Sequence, residues 1–295
     1  MLIRSRHEET ADQRAEYNDT LSNLGSLSVI TDRGGRSENQ DAWGVCTTAS
    51  GGYFFIVADG LGGHKGGRIA AQAAIEGVQQ YAQGIEGSII SESVIRDAFQ
   101  HAQNSIRQQQ QELPDLDSMR STLVILAIED GHAMWGHIGD VRLYLFNQQG
   151  VEFQTKDQSV PQLMVDTGEI QLEEIRNHPD RSRLLQALGR PDDSYKIRVS
   201  DEIKQLNSEC SFLLCTDGFW EWVVESQMHE AIDSDNVLGT MNTLEHFLRE
   251  KAEKHEEDFD NYTFLLLKCS NLDAQGSKWS ATRLVSSFFK PKAKR

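Results

Sequence analysis

Three apolar runs in this chain end on an aspartate: FFIVA before Asp59, HIG before Asp140 and FLLCT before Asp217. Asp59 and Asp217 are each followed by glycine. Asp41 closes the polar stretch SENQ before another short apolar run, and Asp260 stands before Asn261 and YTFLLLK. A carboxylate at the end of a buried run is costly unless it is paired or bound to a metal. One Asp-Gly alone reads as a turn. Several such sites, without a matching set of nearby Lys or Arg, point to shared metal binding. Hard oxygen donors without thiolates or clustered imidazoles select Mg²⁺ or Mn²⁺.

The elements that must position these aspartates follow from periodicity. SLSVIT (26–31) alternates like a strand, and YFFIVA (53–58) follows the Gly51-Gly52 turn. A glycine loop, 60–67, opens a helix with the stripe Ala70, Ala74, Val78, Tyr81. A second helix spans about 92–111, with Ile95, Ala98, Phe99, Ala102 and Ile106 on one face. The runs 121–128, 132–138 and 141–146 are separated by turns at Asp130-Gly131 and Gly139-Asp140, the pattern of an antiparallel meander. Residues 158–190 read as helical turns and an exposed loop. Further strands are expected at 195–199, 212–215 and 262–268, and a helix at 237–254. Strands in meanders with helices in pairs suggest α+β layers rather than a βαβ series. The polar start, 1–26, reads as a flexible leader; 27–270 reads as one domain and 271–295 as a tail.

The 295 residues carry a formal net charge of −16. The charge is uneven. Residues 277–295 hold Lys278, Arg283, Lys290, Lys292, Lys294 and Arg295 and no acid, which leaves −22 for residues 1–276. An acidic body repels a phosphate backbone and argues against nucleic-acid binding. No apolar run spans a bilayer, and no secretory h-region opens the chain. Cys46, Cys210, Cys215 and Cys269 form no CxxC pair, which suits reduced thiols in a cytoplasmic protein.

Eight segments now fit one family in order and spacing. They are RSENQD (36–41), VADGLGGHKGG (57–67), STLVILAI (121–128), GHIGDVRLYLF (136–146), KDQSVPQLMVDTGEI (156–170), HPDRSRLLQALG (178–189), LLCTDGFWE (213–221) and DNYTFLLLK (260–268). Across roughly 27–269 the chain resembles the metal-dependent Ser/Thr protein phosphatases of type 2C, in their bacterial form. The resemblance implies an α-β-β-α sandwich of two antiparallel sheets between helix pairs. It implies two Mn²⁺ or Mg²⁺ ions, with a third in bacterial members, that lower the pKa of a shared water. By position, Asp59 would bridge two ions and Gly60 would offer its carbonyl. Asp217 and Asp260 would complete the second ion's shell, and Asp41 would act mainly through water. Asp140 would hold the third ion with Asp217. Arg36 matches a phosphate-binding arginine, whose planar fork suits paired phosphate oxygens. Arg36, Asp59 and Asp217 are therefore the expected catalytic set.

Departures and rival readings bound that expectation. Gln40 stands where many members carry glutamate, and Leu61 where eukaryotic members carry a histidine proposed as general acid. The general acid is unassigned. Gln158 replaces a usual histidine. None of the cysteines begins Cys-x₅-Arg, and no GxSxG elbow or HExxH helix is present. In the glycine loop a GxGxxG match would need glycine at Lys65, so a nucleotide reading fails. A non-catalytic scaffold binding a kinase or phosphoprotein is the alternative, disfavoured because every matching aspartate is present. Trp220 and Trp222 read as core or rim. Arg181 and Arg183 fit either a substrate-contacting loop or a solvated one. The resemblance implies a phosphorylated protein substrate, a Ser/Thr kinase or its target, and in some members an association with a type VI secretion system. The tail, with Trp279, Phe288 and Phe289 among its cations, fits either a frayed end or docking on membrane or a partner.

Overall fold

The structure is a computed structural model and describes residues 14–21, 23–62, 64–190, 194–232, 236–254 and 259–270. The basic tail 277–295 and the first 13 residues lie outside them. In chain order the elements are β1 Ala15–Leu21, β2 Gly25–Asp32, β3 Asp41–Thr47, β4 Tyr53–Leu61, α1 His64–Gln83, α2 Glu92–Glu112, β5 Arg120–Ser121, β6 Leu123–Glu129, β7 His132–Ile138, β8 Arg142–Asn147 and β9 Gly150–Gln154. They continue with α3 Val160–Asp166, β10 Arg198–Val199, β11 Lys204–Gln205, β12 Ser211–Cys215, α4 Asp217–Trp220, α5 Glu225–Ile232, α6 Val237–Lys254 and β13 Tyr262–Cys269.

Two antiparallel sheets stack face to face. One has the order β1-β2-β13-β12-β8-β9. The other runs β10-β7-β6-β4-β3, with β11 on β7 and β5 on β4. The central strands are buried on both faces, so they read as unbroken apolar runs whose alternate residues serve different layers. In β4, Phe55 and Val57 enter the core between the sheets, where they meet Val124, Leu143, Phe212 and Leu265. Phe54, Ile56 and Ala58 point the other way, into a layer with Ala70, Ala74, Val78 and Phe99 of α1 and α2. On the outer face of the first sheet, Leu213, Cys215, Phe264 and Leu266 pack on Met228, Met241, Leu244 and Leu248 of α5 and α6. The result is the expected α-β-β-α sandwich.

Three sequence expectations are corrected. The leader does not extend to residue 26, because residues 15–21 form β1, paired with β2 from Ala15↔Thr31 to Leu21↔Gly25. Tyr17 packs on Trp43 with ring centroids 5.4 Å apart, and Arg14 pairs with Glu245 on α6. The alternation was masked because Asp19 occupies one of the inward positions and accepts a hydrogen bond from Tyr17. The meander of 121–146 is also broken. β6 and β7 form a hairpin, but β8 joins the other sheet beside β12. The chain crosses between sheets at Gly139-Asp140. Gly139 has φ +92°, and a Cβ there would lie 2.5 Å from the Thr122 methyl, so the crossing needs glycine. Finally, of the strand expected at 195–199 only Arg198 and Val199 pair, with His137 and Gly136; Tyr195 packs towards α2 instead and donates to Gln100.

Candidate active site

The five aspartates come from both sheets and meet at one end of the sandwich. Asp41 begins β3 and is the cross-strand partner of Asp59 near the end of β4. Asp140 sits at the crossing into β8, Asp217 begins α4 just after β12, and Asp260 precedes β13. Arg36, Asp59, Gly60, Asp140, Asp217 and Asp260 all line one cleft of about 410 Å³. Asp41 is not among the lining residues. It lies behind them, and its Oδ2 accepts a hydrogen bond from Thr216 Oγ1 at 2.8 Å. Arg36 is the one cation among the described lining residues; its Nη2 lies 3.1 Å from Asp260 Oδ2, both side chains being exposed.

Carboxylates placed side by side on neighbouring strands repel each other. Burial, followed by the charges of Asp41, Asp140 and Asp260, lifts Asp59 well above the usual carboxylate range. Asp217 is raised by burial and then by Asp59 and Asp140. Burial pushes Asp41 up to about 7, against the hydrogen bond from Thr216. Burial and Asp157 push Asp140 to about 8. Asp41 Oδ1 and Asp140 Oδ1 are buried without a hydrogen-bond partner. Native proteins rarely leave such oxygens unsatisfied. Unsatisfied oxygens in a group of mutually repelling carboxylates are the donor set that a hard divalent cation would satisfy. Among the described residues no three of these side chains converge as a closed cage. They stand around an open cleft, the layout of a site in which water fills much of each coordination shell.

Close backbone packing fixes the cleft. Gly60 donates to the Gln40 carbonyl at 3.2 Å, and a Cβ on Gly60 would lie 2.0 Å from the Gly67 carbonyl oxygen. The first turn of α1 therefore lies directly on the end of β4. Ser121 and Thr122 hold the Asp59 backbone: Thr122 N–H donates to its carbonyl at 2.9 Å, and Asp59 N–H donates to Thr122 Oγ1 at 3.0 Å.

Several residues that position the site were not singled out from sequence. The Asn261 amide donates to the carbonyls of Arg33 and Glu38 at 2.7 and 2.9 Å and accepts from Gln40 N–H at 2.8 Å. It fastens the Arg36 loop to the strand that follows Asp260. An asparagine directly after a candidate ligand was the available signal. Gln158, uninterpreted in the sequence, accepts from Gly139 N–H at 3.0 Å and donates to the Lys196 carbonyl at 2.8 Å. Its own N–H donates to the Gly139 carbonyl at 2.8 Å, so it clamps the crossing that carries Asp140. Trp220 belongs to the core. Arg181 pairs with Glu221 at 2.7 Å rather than standing free on a loop. Leu61 lines the cleft, and no imidazole is among its described lining residues.

Comparison with known proteins agrees with this fold. Residues 33–255 match the family described as protein phosphatase 2C. The chain belongs to the protein phosphatase 2C family. It is similar to the serine/threonine phosphatase stp of Listeria monocytogenes, 30% identical over 242 residues that cover 81% of this chain and 93% of that one. Among solved structures it is similar to the serine/threonine phosphatase PstP/Ppp of Mycobacterium tuberculosis, with a TM-score of 0.70 and 27% identity, covering 83% of this chain and 98% of that one. A PstP catalytic domain in complex with two manganese ions is also similar, with a TM-score of 0.69 and 25% identity, covering 83% of this chain and 97% of that one. This chain's protein phosphatase 2C fold thus carries its five aspartates at the end where its two sheets meet.

Proposed function

We propose that this member of the protein phosphatase 2C family hydrolyses phosphoserine and phosphothreonine in proteins, with Mn²⁺ or Mg²⁺. The observation that carries the reading is the meeting of Asp59, Asp140, Asp217 and Asp260 with Arg36 around a single cleft. Asp59, the Gly60 carbonyl, Asp217 and Asp260 would hold two ions, Asp140 with Asp217 a third, and Asp41 would act from behind. Ions bound there neutralise phosphoryl charge and lower the pKa of water.

The chain's own residues do the rest. Arg36 presents a planar fork to two phosphoryl oxygens, and its contact with Asp260 aims that fork into the cleft. Thr216 fixes the Asp41 carboxylate, and Asn261 fixes the loop that carries Arg36. Water attacks phosphorus in line, the ester P–O bond breaks, and serine or threonine leaves with a proton taken from water. The physiological substrate is a phosphorylated protein, a Ser/Thr kinase or its target. All four cysteines are buried and free, in keeping with a reducing, cytoplasmic setting. No helix among the described residues is long and apolar enough to cross a membrane.

The decisive experiment is hydrolysis of a phosphothreonine peptide with Mn²⁺, with EDTA, and by Asp59→Asn and Asp217→Asn. Activity in Mn²⁺ that is lost in the other three conditions supports the reading. Activity that survives EDTA or both substitutions overturns it.

A further inference from the structure

A second cavity, of about 330 Å³, lies on the other side of the loop that brings Ser182 and Leu184 to the carboxylate cleft. Arg176, Arg181 and Lys251 line it, with Glu221, Asn177 and Trp222. The three cations come from separate segments: a 3-10 turn at Leu172–Asn177, the loop after it, and α6. Tertiary packing brings Lys251 to the two arginines, within a body that carries −22 over residues 1–276.

The cations are not neutralised equally. Arg176 pairs with Glu225 at 2.6 Å and donates to the Val223 carbonyl at 3.1 Å. Arg181 pairs with Glu221. Lys251 Nζ instead donates to two neutral oxygens, the Trp222 carbonyl at 2.8 Å and Gln227 Oε1 at 3.0 Å. Burial and the neighbouring Arg176 charge hold the Lys251 pKa below its ordinary value, and the attraction of Glu250 does not offset them. Lys251 thus brings to the cavity an ammonium whose hydrogen-bond acceptors are neutral, and an anion bound there would supply its counter-charge.

The two cavities are adjacent. Arg181 faces the basic one, and the next residue, Ser182, faces the carboxylate cleft. Glu221 lines the basic cavity one helical turn beyond Asp217, which lines the cleft. An extended peptide advances about 3.3 Å per residue, so one bound segment reaches both within a few residues.

We propose that the basic cavity is a substrate subsite that takes a second phosphoryl group, a few residues from the phosphoserine or phosphothreonine in the carboxylate cleft. The proposal rests on the phosphatase reading above. Arginine forks and a lysine ammonium suit a phosphoryl dianion, and Trp222 gives the peptide an apolar wall. A glutamate at the same place offers the same kind of contact with less charge.

The test uses the full chain with Mn²⁺ and peptides that share one scissile phosphothreonine. A second phosphoserine, a glutamate or an alanine is placed about two to six residues away on either side. The expected result is a kcat/KM about fivefold or more above the alanine peptide for one phosphoserine spacing, expressed in KM, with glutamate intermediate. That ratio should fall towards one in Lys251→Gln and below one in Lys251→Glu. A wild-type enzyme with no preference at any spacing overturns the proposal, as does a preference that persists in both variants. Calorimetric titration of the EDTA-treated chain with inorganic phosphate adds a readout independent of turnover, because the metal-free carboxylate cleft repels phosphate. Saturable binding that Lys251→Glu abolishes supports the subsite, and absence of binding to the wild type overturns it. An enzyme inert towards every phosphopeptide sinks the phosphatase reading, and the phosphate titration then decides the cavity on its own.

Discussion

The indole N–H of Trp220 donates to the backbone carbonyl of Asp140 at 2.9 Å. This bond ties α4, which begins with Asp217, to the crossing that carries Asp140. The Arg142 guanidinium lies 3.5 Å from the centroid of the same indole. Arg142 is itself fixed by Asp157, with Nε–Oδ1 and Nη2–Oδ2 distances of 2.8 Å. A buried ion pair, a stacked indole and a carbonyl therefore hold two candidate metal ligands in register.

Trp220→Phe keeps a ring for Arg142 but removes the indole donor together with part of the buried ring volume. A buried carbonyl left without its partner costs about 1–3 kcal/mol. The variant should unfold at correspondingly lower urea concentration in EDTA. It should need severalfold more Mn²⁺ for half-maximal hydrolysis of an aryl phosphate. Unchanged urea and Mn²⁺ midpoints would show that the bond positions nothing.

The raised carboxylates make metal-free stability depend on pH in an unusual direction. Asp41 and Asp140 bind protons more tightly folded than unfolded, with pKa values pushed up to about 7 and about 8. The native state then holds more protons, so its stability falls as pH rises from about 4.5 towards 8. Melting curves in EDTA should shift to lower temperature across that window, and saturating Mn²⁺ should remove the trend. A metal-free melting temperature that climbs with pH would refute the clustering described above.

The same repulsion sets stability against activity at Asp59. Asp59→Asn removes one charge that burial and Asp41 disfavour. Metal-free Asp59→Asn should therefore be more stable than wild type at pH 8. Hydrolysis should fall to background. Chemical denaturation in EDTA beside a phosphatase assay checks both outcomes.

The two ends of the chain should respond differently to truncation. Removal of 1–21 deletes β1, its aromatic contact with Trp43 and the Arg14–Glu245 pair, at a cost of about 2 kcal/mol or more. Removal of 277–295 begins beyond β13, which ends at Cys269. Aryl phosphate hydrolysis should then stay within about twofold of wild type. Thermal melts and initial rates of the two truncated chains distinguish the ends.

Much of the architecture could be read locally. The runs of β4, β12 and β13 alternate between two apolar layers, and α2 and α6 show their buried stripes at helical spacing. β1 escaped because its inward positions include Asp19, whose charge hides the period of two. Trp222 and Lys251 carried no sequence signal for the basic cavity, because α6 and the Trp222 carbonyl meet only through packing.

By itself the sequence determined the strand and helix periods, the aspartates at strand ends and the glycines that let backbone approach them, because these are properties of neighbouring residues. Only the tertiary structure decided that β8 leaves the hairpin of β6 and β7 for the other sheet. Alternation in β8 is the same whichever sheet receives it, so no local pattern encodes the choice. That choice places Asp140 in the same cleft as Asp59. It brings four separate carboxylates into one cleft, with Asp41 behind them, whose charge calls for cations.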